Sequence, residues 1–136
     1  MRKAAFRILF TVTLAIGMQA QDKANCSNAT LNGSYGLHAT GTIVGVGDFA
    51  AVGRFTFDGN GNLTGRLFVR VAGNNIAPPA FTGTYSVSPD CTVTDNWLGS
   101  THVSVIVDQG KGYFILNISP STAAEDTLNN GEARRQ

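Results

Sequence analysis

The sequence predicts an all-β fold: an antiparallel up-and-down barrel of about eight strands, preceded by a signal-peptide helix. Three observations carry that expectation. Long stretches alternate apolar and polar residues with period two, the mark of half-buried antiparallel strands. Turn-forming clusters separate those stretches at short, even intervals. Gly41, Gly53, Gly65 and Gly83 each fall inside a stretch, on its apolar face. Glycine weakens a strand interior, so a row of them implies either a tightly coiled, closing sheet or room inside it.

The N-terminus comes first. Arg2, Lys3 and Arg7 precede an uncharged apolar run from Ile8 to Met18, and Met18-Gln19-Ala20 ends on a small residue. This is the three-part pattern of a secretory signal, and the run is shorter than the ~20 residues of a membrane span. Residues 1–20 are therefore assigned to a signal peptide, 21–33 to a polar lead-in and 34–136 to the barrel domain, secreted or periplasmic, with no stable membrane insertion once the leader is cleaved.

The strands follow in order. Tyr35, Leu37, Ala39, Gly41 and Ile43 share one face against His38, Thr40 and Thr42. Phe49, Ala51, Gly53, Phe55 and Phe57 oppose Arg54 and Thr56. Leu63, Gly65, Leu67, Val69 and Val71 oppose Thr64, Arg66 and Arg70. Phe81, Gly83, Tyr85 and Val87 oppose Thr82, Thr84 and Ser86, and Asp95 alternates with Trp97 across an uncertain register. Val103, Val105 and Val107 read as a further inward row. Tyr113 to Ile118 is apolar on both faces, and Asn129 to Arg135 makes a last strand. Between the second and third runs, Asp58-Gly59-Asn60-Gly61-Asn62 fits a three-residue loop, a type I turn with a bulge and Gly61 in the left-handed position. Ala72 to Ala80, with two prolines, is the longest irregular connection.

Charge and cysteine content bound the function. Three of the ten basic residues lie in the leader, so the remaining chain keeps seven Lys and Arg against nine Asp and Glu. It has no basic tract, which argues against nucleic acid as a partner. Cys26 and Cys91 are the only cysteines, and in an oxidising compartment such a pair closes. No C-x-x-C and no neighbouring histidine suggest redox or metal work, and no cofactor motif is present.

Four phrases carry a resemblance. They are Gly33-Ser34-Tyr35-Gly36; G-R-F-T-F-D-G-N-G-N from Gly53 to Asn62; G-T-Y-S-V-S-P-D-C from Gly83 to Cys91; and Gly131-Glu132-Ala133-Arg134-Arg135. Spread over most of residues 26–135, they resemble a group of uncharacterised secreted bacterial β-barrel proteins, similar to the calycin and allene oxide cyclase-like barrel type. The phrases are turn and packing motifs. The resemblance implies a calycin-like barrel and transfers no catalytic residue.

Candidate sites are few. Tyr35, Phe55, Tyr85 and Trp97 would line a barrel interior and contact a small apolar or aromatic ligand. Asp95, if turned inward beside them, would be a buried proton donor for a small isomerase or cyclase. Arg54, Arg66 and Arg70 form a stripe on the polar face, either balanced by neighbouring carboxylates or free to meet an anion or an acidic partner, as in an envelope protein binding macromolecules through its outer face. Asp58, Asn60 and Asn62 are spaced like the first ligands of a calcium loop, but Leu63 and Val69 occupy the positions that need Gly and Glu, so a plain hairpin is expected. His38 and His102 both read onto the solvent side, and no G-x-S-x-G elbow is present. No metal site and no catalytic residue are assigned.

Overall fold

A computed structural model of the chain describes residues 25–119 and 127–136. The predicted leader, residues 1–20, lies outside them. Among the described residues there are nine strands: β1 (Asn32–Ile43), β2 (Gly47–Asp58), β3 (Asn62–Val71), β4 (Asn74–Ile76), β5 (Phe81–Val87), β6 (Thr92–Trp97), β7 (Ser100–Val107), β8 (Gly112–Asn117) and β9 (Thr127–Arg135). Each pairs antiparallel with its neighbours, and β9 returns to β1, so eight strands close a ring. β2 occupies one edge of β3 along Leu63–Val71, and β5 and the short β4 share the other. β4 thus orders part of the connection expected to be irregular.

The local chemistry accounts for the register. β2 and β3 pair Phe57 with Leu63 and Arg54 with Arg66, the pairing expected of a three-residue loop. Gly61 has the expected positive φ, but Gly59 has one too, which a type I turn does not use. The Asp58 carboxylate holds this loop, accepting from the Asn60 and Asn62 backbone N–H groups and from Asn62 Nδ2, at 2.7–3.0 Å.

β6 and β7 meet through the two-residue turn Leu98-Gly99, both with positive φ as in a type I′ hairpin. A two-residue turn sets odd-numbered residues of β6 opposite even-numbered residues of β7. Asp95 faces His102, and Trp97 faces Ser100. His102, Ser104 and Ile106 therefore point inward and are buried. This corrects the sequence reading twice: Val103, Val105 and Val107 lie on the outer face, with Val105 47% exposed, and His102 is 1% exposed rather than solvent-facing. His38 is exposed as expected. Tyr113, Ile115 and Asn117 of β8 take the inward side, opposite Ile106, Ser104 and His102.

One end of the barrel is closed. The lead-in is more than a tether: the 3-10 turn Asn28–Thr30 crosses that end and drives Leu31 into the core, 1% exposed. The Tyr85 hydroxyl donates to the carbonyls of Asn28 (3.0 Å) and Leu31 (2.9 Å). Asn28 Oδ1 accepts from the Val87 N–H, and Cys26 is bridged to Cys91. The Tyr35 hydroxyl donates to the Gly110 carbonyl at 2.6 Å. Tyr35, Phe57, Tyr85 and Tyr113 pack edge-on beneath, with centroids 4.9–5.7 Å apart.

Candidate functional site

Among the described residues nothing covers the opposite end. It is ringed by the β1–β2 turn, the β6–β7 turn and the ends of β8 and β9. Between them lies a cavity of about 240 Å³ inside the barrel. Leu37, Ala39, Phe49, Ala51, Leu67 and Val69 supply its apolar wall, Ile43 and Leu98 its rim, and Ser100, Asn117 and Asn129 polar groups. Larger hollows lie on the outer face, and two of them, about 540 and 550 Å³, are grooves on either side of His38. A molecule there would bury one side only, whereas the interior cavity surrounds more of its occupant. Enclosure with few polar groups is what a small-molecule site requires.

Trp97 and His102 line this cavity as a stacked pair, rings 4.1 Å apart and 8° from parallel. The cross-strand pairing of Trp97 with Ser100 sets the indole one step from His102. Phe81 stacks on the other side of the indole at 5.4 Å, and Phe55 meets it edge-on at 5.1 Å. The indole N–H donates to Asp95 Oδ1 at 2.6 Å, a charge-assisted bond. Ser104 Oγ donates to Asp95 Oδ2 at 3.4 Å. Asp95 and Ser104 are 3% and 2% exposed and sit outside the cavity lining.

His102 Nδ1 lies 3.2 Å from Asp95 Oδ1. The direction is wrong for a hydrogen bond, and among the described residues Nδ1 is the one buried side-chain polar atom without a partner. Buried polar groups are nearly always paired, so an exception beside a cavity asks for a reason. Although Asp, His and Ser are all present, the Ser104 hydroxyl bonds the carboxylate and not the imidazole. A serine nucleophile needs its proton removed by the histidine, so this is not a hydrolytic triad. Among the described residues no group of three His, Cys, Asp or Glu side chains is placed to hold a metal ion.

The residues expected to contact a ligand separate. Trp97 lines the cavity. Tyr35, Phe55 and Tyr85 do not: Phe55 packs against Trp97 and Phe81, and the two tyrosine hydroxyls are committed to main-chain carbonyls at the closed end. Tyr85 is the cross-strand partner of Asp95, yet its hydroxyl serves Asn28 and Leu31 rather than the carboxylate. His102 and Ser104 were missed because their facing depends on the length of the Leu98-Gly99 turn. A two-residue turn was the one signal that would have placed them inward.

Three of the inward glycines, Gly53, Gly65 and Gly83, do not make the cavity. A side chain at Gly65 would overlap the Phe81 ring, and one at Gly53 or Gly83 would overlap the neighbouring strand's backbone. They permit close approach and coiling.

Arg54, Arg66 and Arg70 are exposed on the outer face, and Arg54 stands directly opposite Arg66. No carboxylate among the described residues pairs with any of the three. The Arg66 guanidinium lies over the Phe68 ring at 5.3 Å, and Arg70 Nη1 donates to Asn75 Oδ1 at 3.4 Å.

No protein-family model matches the chain, and no curated protein matches it.

Proposed function

We propose that the chain is an exported, non-enzymatic binding module that takes a small, largely apolar molecule into the open end of its barrel. The observation that carries this reading is the partly enclosed cavity of about 240 Å³, walled by aliphatic and aromatic side chains and lined on one side by the Trp97–His102 stack. Export is supported by the leader pattern and by the closed Cys26–Cys91 bridge. The calycin-like resemblance belongs with the same reading.

Trp97 is the only tryptophan, so its fluorescence reports on the cavity directly. Titration with toluene is expected to give a saturable change. Ala51→Leu, which fills part of the cavity, is expected to weaken it. No change in the wild-type protein up to the solubility of toluene rejects the reading.

A second reading rests on a separate observation, the like-charged Arg54–Arg66 pair held without a counter-ion among the described residues. Like charges directly opposite are unfavourable, and an acidic macromolecule docking on the outer face would relieve them. Retention on a heparin column at low salt, lost in the triple Ala variant at 54, 66 and 70, is the expected result. Retention unchanged by those substitutions counts against it.

A further inference from the structure

We infer that the cavity's ligand is an uncharged apolar molecule bearing one hydroxyl group, whose O–H donates to His102 Nε2. This rests on reading the cavity as a ligand site and adds the ligand's chemical class.

Size comes first. A cavity of about 150 Å³ lined by apolar side chains takes benzene, and drug-sized ligands fill about 300–1,000 Å³. At about 240 Å³ this one suits a single substituted ring or a short branched chain.

Charge decides the head group. Among the described residues neither lysine nor arginine lines the cavity. The one buried carboxylate among them near it, Asp95, is turned on Trp97 Nε1, Ser104 Oγ and His102 Nδ1, behind the lining. A carboxylate ligand would be desolvated with no Lys or Arg among the described residues to meet it. An ammonium ligand would lose its hydration without reaching Asp95. Both are expensive, and an uncharged group avoids either penalty.

Proton placement then selects among uncharged groups. His102 Nδ1 lies 3.2 Å from a carboxylate oxygen, off the hydrogen-bond direction, and so close to that oxygen a bound proton is electrostatically favoured over a lone pair, which places the proton on Nδ1. The Trp97 stack holds the ring in that plane. Nε2 is left with a lone pair to which no described residue donates, so the ligand is to bring the hydrogen. A carbonyl would set lone pair against lone pair; a hydroxyl fits. Ser100, Asn117 and Asn129 on the same cavity can donate to the hydroxyl oxygen in return.

The test is calorimetric titration of the intact protein with p-cresol, toluene, benzoate and benzylamine, with Trp97 fluorescence as a second readout. p-Cresol is expected to bind about tenfold tighter than toluene, the worth of one well-made hydrogen bond, and tighter than either charged probe. In His102→Phe, which keeps a ring on Trp97, toluene binding is expected to persist and the preference for p-cresol to vanish. Toluene binding as tightly as p-cresol, or benzoate or benzylamine binding tightest, overturns the hydroxyl assignment and leaves the cavity reading standing. Failure of all four to bind removes both. Should His102→Phe not fold, the wild-type series decides alone.

Discussion

Tyr35, Tyr85 and Tyr113 are the only tyrosines of the chain, and all three are buried, 5% exposed or less. Burial raises the phenol pKa of each above the ordinary value near 10. The shift is largest for Tyr113, where the Asp95 charge adds to burial, and it is opposed at Tyr35 by Arg135. The folded protein therefore holds protons that the unfolded chain releases above about pH 10. Stability is full below that value and falls as pH rises through the folded-state values. Absorbance at 295 nm is expected to show late tyrosine ionisation that coincides with loss of β-sheet circular dichroism. Phenolate appearing near pH 10 with the sheet intact would contradict this. At this scale Trp97 was legible as a candidate interior aromatic from its alternation with Asp95, while the uncertain register left its facing open. His102 and Ser104 were not, because a single residue more or less in the preceding turn reverses their facing.

Among the elements, β1, β2, β3 and β5 were readable because polar and apolar residues alternate along most of each, the breaks at Ala50 and Val52 in β2 and at Phe68 in β3 being flanked by clear alternation. β7 and β8 were not. Their outer faces carry Val105, Phe114 and Leu116, each about half exposed, so apolar content no longer marked the inner side. The glycine row was legible as a curvature device, and its ranking is testable. At Gly53 an added methyl meets the Arg66 carbonyl, which cannot move without the strand; at Gly65 it meets the far end of the Phe81 ring, which can. Overpacking typically costs about 1–3 kcal/mol. Urea unfolding is expected to show Gly53→Ala at or above that range and Gly65→Ala below it. The reverse order would mean that the ring, not the backbone, is the rigid partner.

Across the whole molecule, the closed end depends on contacts that no local pattern announces. The lead-in is polar and short of apolar residues, and only Leu31 hints that it enters the core. Its placement comes from long-range partners: the Tyr85 hydroxyl, the Val87 N–H and the bridge from Cys26 to Cys91 across a sequence separation of 65. A loop of that length contributes about 4 kcal/mol by restricting the unfolded chain. The Cys26→Ala, Cys91→Ala variant is expected to lose that much in urea unfolding while keeping its sheet spectrum. A loss below ~1 kcal/mol would show that the plug holds without its covalent tie.

The proposed function needs a barrel stoppered at one end and receptive at the other, with one indole on the receptive wall. Because the chain has a single tryptophan, its indole N–H gives one resonance in a ¹⁵N–¹H spectrum. During titration with toluene that resonance is expected to move and saturate together with the Leu37 and Leu67 methyl signals. An indole signal that stays fixed while outer-face Phe68 and Phe114 respond would place apolar molecules on the outside of the barrel and contradict the account.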